Sequence, residues 1–146
     1  MATLHIRAER SMLAPPERVY CCIADYRQHH PRFLPPAFSQ FRVEQGGVGA
    51  GTEIRFQLTV GGRTYQYHGY VTEPEPGRVL TESYADGGVT SFTVTPEGRG
   101  SRVRIETTAD AKGIQGLVAR WLAPRLLRPL FTDELARLDQ YTQTQV

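Results

Sequence analysis

The chain has 146 residues, enough for one ordinary domain with a buried core and too few for two of average size. Seventeen Lys and Arg against fifteen Asp and Glu leave a formal charge of +2, which excludes a strong field for nucleic acid or an anionic membrane surface. At 40% hydrophobic and 22% charged residues, the composition excludes disorder, and no apolar run approaches the ~18 residues of a spanning helix.

Leu4, Ile6, Ala8, Arg10 and Met12 share one parity with mostly polar residues between them, which predicts a half-buried first strand. Pro15 and Pro16 end it and suit the first turn of a helix, where Val19, Tyr20 and Ile23 recur at helical spacing. In DYRQHHPRFLPPAF, Pro31, Pro35 and Pro36 limit any helix to a turn or two. Six β-type runs follow: Phe38 to Gln45, Thr52 to Val60, Arg63 to Thr72, Arg78 to Tyr84, Thr90 to Thr95 and Ser101 to Ala109. The breaks between them (GGVGAG, GG, EPEPG, ADGG, PEGRG) are short and rich in turn residues, so the neighbours are antiparallel hairpins. At the C-terminus, Ile114, Leu117, Val118, Trp121 and Leu122 form one helical stripe, and Leu127, Leu130, Phe131, Leu135 and Leu138 another. The two stripes are out of phase by about 140° at 100° per residue. With Pro124 at the phase break and Pro129 beyond it, this predicts a short helix, a kink near Ala123 and a longer helix to about Thr142.

Cys21 and Cys22 are adjacent and bridge only with strain, so they read as reduced thiols. No Cys/His spacing suits zinc, and the expectation is no metal and no cofactor. The N-terminal MATLHIRAERS lacks the apolar stretch of a secretory signal, and a cytoplasmic location is expected.

The order strand, two short helices, six antiparallel strands and a C-terminal helix resembles the START-like (Bet v 1-like, SRPBCC) superfamily, specifically its polyketide cyclase/dehydrase and lipid-transport branch. The resemblance is carried by LAPPERVYCCIADYRQHHPRFLP from Leu13 to Pro35, GVGAGTEIRF from Gly47, YVTEPEPGRVL from Tyr70 and GSRVRIET from Gly100, and it covers nearly the whole chain. The DYRQHHPRFLP stretch is also similar to coenzyme Q-binding members of the superfamily. The resemblance implies an α+β helix-grip fold over residues 1–146: a curved seven-stranded antiparallel sheet, two short helices after the first strand and a long kinked C-terminal helix.

A curved sheet wrapped on one helix leaves a space between them, lined by whatever the strands point inward; such pockets usually measure ~300–1,000 Å³. With Val71, Val103 and Val94 facing the core, parity turns Tyr65, Tyr67, Gly69, Ile105, Thr107, Thr90 and Phe92 inward. If Leu80 faces in, so do Glu82 and Tyr84. Arg10 lies on the core parity of the first strand and needs a carboxylate, a ligand anion or water; it reads first as a rim residue or a partner of Glu82. The tyrosines read first as wall and core, and Glu82 either as a buried acid–base group or as a solvent-facing residue. His68 falls on the outer parity, and His29 and His30 read as a solvated loop. Trp121 reads as core or as part of a lid. The expected cavity set is therefore Arg10, Phe56, Tyr65, Tyr67, Glu82, Tyr84, Phe92, Thr107 and Trp121, with catalytic residues unassigned.

The leading expectation is a binding protein for a small hydrophobic or aromatic molecule, lipid, polyketide-like or quinone-like. The alternatives are a cyclase/dehydratase-type enzyme using the same cavity and a protein-interaction module. Nucleic acid and integral membrane association are not expected, and a homodimer is left open.

Overall fold

A computed structural model describes the backbone of residues 3–110 and 117–145, and the side chains of 4–109 and 124–145. Strand β1 (Thr3–Met12) leads into helix α1 (Pro16–Ala24) and a 3-10 turn (His30–Phe33). Six strands follow, β2 (Phe38–Gln45), β3 (Glu53–Val60), β4 (Arg63–Glu75), β5 (Val79–Tyr84), β6 (Val89–Glu97) and β7 (Gly100–Asp110), and then helix α2 (Leu117–Thr144). All strand pairs are antiparallel in the order β1-β7-β6-β5-β4-β3-β2, so β1 and β2 form the two edges of an open sheet. This is the α+β helix-grip architecture expected from the sequence, with strand limits shifted by only a few residues.

Local chemistry explains the elements. Pro15 is extended and Pro16 takes the first helical position, where its missing N–H is no loss; Val19 N closes the first turn on Pro15 O at 3.1 Å. The helix stops at Asp25, whose carboxylate accepts from Arg27 N at 3.1 Å and Gln28 N at 2.9 Å. The glycine-rich segment before β3 then clasps this end of α1: Tyr26 N donates to Gly47 O at 2.8 Å and Gly49 N to Ala24 O at 2.9 Å. The clasp fixes the backbone that carries Tyr26 and His30.

In β2 the period-2 rule fails at one residue. Gln40 has φ +52°, and the pairing with β3 shifts register between Ser39 and Arg42. Phe38 and Phe41, which would lie on opposite faces of a regular strand, both turn toward the interior. At the far side of the sheet β1 pairs with β7 along its whole length, ending at Met12 opposite Ser101. A Cβ on Gly100 would lie 2.1 Å from Met12 O, so only glycine lets β7 start there.

Helix α2 continues through Pro124 and Pro129 as one long C-terminal helix, as the sequence led one to expect. Each proline removes one N–H from the ladder, but neither ends the helix when the flanking residues keep helical geometry. The residues of the expected short preceding helix before Leu117 lie outside those described. The inner face of α2 carries Phe131, Leu135 and Leu138, which join Ile6, Ile23, Phe33, Ile54, Leu80 and Ile105 in one core. None of the helices described is long and apolar enough to cross a membrane.

Candidate functional site

Between the inner face of the sheet and α2 lies a cavity of about 110 Å³. It is smaller than the several hundred cubic ångströms expected, and close to the about 150 Å³ of an engineered apolar cavity that takes up benzene. Ile54 and Phe56 from β3, Phe92 from β6 and Ile105 from β7 form its sheet wall, and Leu127 and Phe131 its helix wall. Phe38 and Phe41 close one side, brought there by the bulge at Gln40. Phe56 stacks on Tyr67 at a centroid distance of 5.2 Å, and Tyr84 meets both edge-on.

A polar network is set into this apolar wall. Glu82 on β5 is 5% exposed and accepts two hydrogen bonds, from Tyr26 Oη at 2.5 Å and from Tyr84 Oη at 2.6 Å. The Tyr26 ring stacks on His30 at 4.3 Å. His30, 2% exposed, has Nδ1 2.7 Å from Ile23 O, a carbonyl that only accepts, so Nδ1 carries the proton. Nε2 is then bare in the neutral ring and stands 3.9 Å from Glu82 Oε2. Burial holds the His30 pKa below its usual value, against the opposing pull of Glu82. Burial, reinforced by Glu82, raises the Tyr26 and Tyr84 hydroxyls well above their usual range, and burial pushes Tyr67 up to about 12, so all three remain proton donors.

Two small residues make the arrangement possible. Gly69 on β4 lies under the Tyr84 ring; a Cβ there would come within 3.1 Å of Tyr84 Cδ1. Thr90 and Thr107 share a hydrogen bond of 2.8 Å across β6 and β7, satisfying both hydroxyls without a charge.

Opposite the sheet, α2 contributes Glu134, 3% exposed and lining the cavity. It makes no hydrogen bond among the described residues. Burial, with Glu82 as the next cause, raises its pKa well above its usual value and so favours the protonated form. The cavity therefore offers an accepting carboxylate on one wall and a carboxylic acid on the other. Such a pair can hold a ligand oxygen from two sides or pass a proton between them.

Of the cavity residues expected from sequence, Phe56, Tyr67, Glu82, Tyr84, Phe92 and Thr107 line it. Tyr65 does not; it lies further along β4, half-buried near the β3–β4 turn. Arg10 is also absent from the lining: its Nε donates to Asp139 Oδ2 on α2 at 3.1 Å, so its partner is Asp139 and not Glu82. The strand parity was right, but β1 passes under α2 at that point, where a helix carboxylate meets the guanidinium before the cavity does. The Trp121 side chain lies outside the described residues. The solvated-loop expectation fails for His30, which the clasp at Gly47 pulls under the sheet, and His29 lies with Nδ1 2.7 Å from Tyr141 Oη. His68 is half-buried and bonded to Glu53. Tyr26, His30, Phe41 and Glu134 were missed as site residues; for Glu134 the signal was a charge between Phe131 and Leu138 on the apolar stripe of α2.

The sequence matches the family model for polyketide cyclase/dehydrase and lipid transport over residues 3–143. No match is found among curated proteins. The KanY protein, solved by NMR, is 28% identical, with 98% of this chain and 99% of that chain covered at a TM-score of 0.86. Ara h 8.0201 is 14% identical over 99% of this chain and 100% of that chain, with a TM-score of 0.68. The di-domain ARO/CYC protein StfQ of the steffimycin biosynthetic pathway is 15% identical over 97% of this chain and 51% of that chain, with a TM-score of 0.76. The last two likenesses concern the fold alone. From β1 to the last turn of α2, the chain belongs to the polyketide cyclase/dehydrase and lipid transport family.

Proposed function

We propose that this protein binds a small hydrophobic or aromatic molecule, about one ring in size, in the cavity between the sheet and α2. The observation that carries this reading is an aromatic-walled void around two buried carboxyl groups. At ~24 cal/mol per Å³, a void of 110 Å³ costs on the order of 2–3 kcal/mol of stability when empty. A core that served packing alone would fill the space with a larger Thr90 or Thr107 neighbour and replace Glu134 with leucine. The volume favours a ring or a short chain over a long acyl chain.

A thermal-shift screen against single-ring phenols and quinones, polycyclic aromatics and lipids tests the reading. A ligand at 100 times its Kd stabilises by about 2.7 kcal/mol. Single-ring compounds are expected to raise the melting temperature most, and the absence of any saturable shift across the panel refutes the proposal. A cytoplasmic location belongs to the same reading, supported by the adjacent free cysteines Cys21 and Cys22.

The facing pair Glu82 and Glu134 supports a second reading, proton-transfer chemistry of the cyclase/dehydratase type. It is tested by deuterium exchange at the α-carbon of cyclohexanone, which should be faster with the protein than without it and lost in Glu82→Gln.

A further inference from the structure

Three carboxyl groups line the cavity, and they differ in what reaches them. Asp86 stands exposed at the rim and accepts from Gly88 N at 2.9 Å. Glu82 accepts from two tyrosine hydroxyls, one on each oxygen. Glu134 is buried and accepts from none of the described residues, yet it lines the void. Its neighbour on α2, Asp133, turns outward and takes Arg137 at 3.1 Å, so that cation is not available to Glu134. The other titratable groups facing the cavity are His30, neutral, and the hydroxyls of Tyr67 and Tyr84; Tyr26 stands behind Glu82. Among the described residues no Arg or Lys lines the space.

Two facing carboxyl groups in apolar surroundings do not both ionise at small cost, and the donors are aimed at Glu82. The proton therefore stays on Glu134, as an O–H with no acceptor among the described residues. An anionic ligand entering here would meet Glu82 without a cation to offset it. A cationic ligand would have to displace the tyrosines from Glu82.

We propose that Glu134 anchors the ligand, donating a hydrogen bond from its carboxyl group to a hydroxyl or carbonyl oxygen, and that the Glu82–Glu134 pair restricts the cavity to neutral ligands, excluding carboxylates such as free fatty acids. This rests on the cavity being a ligand site. A phenolic hydroxyl fits both walls, accepting from Glu134 and donating toward Glu82.

The test uses four probes of one ring each, titrated at pH 7 and followed by amide chemical shifts: phenol, toluene (methyl in place of hydroxyl), benzoate and benzylammonium. Phenol is expected to bind roughly tenfold tighter than toluene, the worth of one hydrogen bond made in a dry site. Benzoate and benzylammonium are expected to bind at least tenfold more weakly than phenol. Glu134→Leu should abolish the preference for phenol while toluene still binds. Glu134→Gln, which keeps a neutral donor, should retain it within about threefold. The amide spectrum of each variant reports its fold. Equal affinity for phenol and toluene, an unchanged ratio in Glu134→Leu, or benzoate or benzylammonium binding as tightly as phenol overturns the anchoring role alone. Failure of both toluene and phenol to bind overturns the cavity reading and this inference with it.

Discussion

Replacing Tyr26 by Phe removes one oxygen from the network and leaves the ring in place. Tyr26 is fully buried, stacked on His30 at 4.3 Å, and its hydroxyl is one of the two donors to Glu82. The loss is a hydrogen bond to a charged acceptor, worth about 1.5–3 kcal/mol, with the phenyl packing retained. Taking about 2 kcal/mol, and about 2–4 °C per kcal/mol for a domain near this size, the melting temperature should fall by about 4–8 °C. In a Glu82→Leu background the same substitution should be close to neutral, because the hydroxyl it removes has already lost its acceptor. Urea unfolding of the four proteins gives the coupling, expected above about 1 kcal/mol. A Tyr26→Phe effect below about 0.5 kcal/mol, or an equal loss in both backgrounds, would refute the claim that this hydroxyl supports the buried carboxylate.

Other outcomes follow from the same geometry. Burial raises the Glu134 pKa on folding, so its contribution is greatest below the unfolded carboxyl range and is lost as pH rises toward the folded value. Glu134→Gln should therefore gain stability relative to the parent as pH rises above the unfolded carboxyl range, with a slope no steeper than about 1.4 kcal/mol per pH unit, measured by urea unfolding. His30 acts in the opposite sense: its lowered pKa makes stability present above its unfolded value near 6.5 and lost on acidification below it, and His30→Gln should flatten that limb. Arg10→Gln should cost at most about 1 kcal/mol and leave ligand affinity unchanged, since the guanidinium is 43% exposed and pairs with Asp139 away from the cavity. Gly69→Ala should cost about 1–3 kcal/mol by displacing the Tyr84 ring, seen as a changed Tyr84 ring resonance in NMR.

The sheet was legible because alternation is a local property: inward parity on β3 to β7 was enough to bring Phe56, Tyr67, Glu82, Tyr84, Phe92 and Thr107 to one surface. What broke alternation was not legible. Phe41 joins Phe38 only through the left-handed residue Gln40, and glutamine carries no sequence signal for that conformation. His30 lies in a proline-bounded turn with no periodicity, and its burial depends on the contact between Tyr26 and Gly47 across the fold. Arg10 and Glu134 posed the same puzzle, a charge on an apolar face, with different answers. Arg10 meets a carboxylate on α2, whereas Glu134 lines the cavity, and that difference depends on how α2 crosses the sheet. The course of α2 past two prolines is supported by tertiary packing, with Phe131, Leu135 and Leu138 in the core.

The central claim is that a guest enters the space between sheet and helix, and intermolecular NOEs between ¹³C-labelled methyls of the protein and bound phenol or toluene test it most directly. Saturable NOEs to Ile6, Ile54, Ile105 and Leu127, with none to the exposed Leu13 and Val48, are the predicted result. Cross-peaks confined to exposed methyls, or none that saturate, would contradict it.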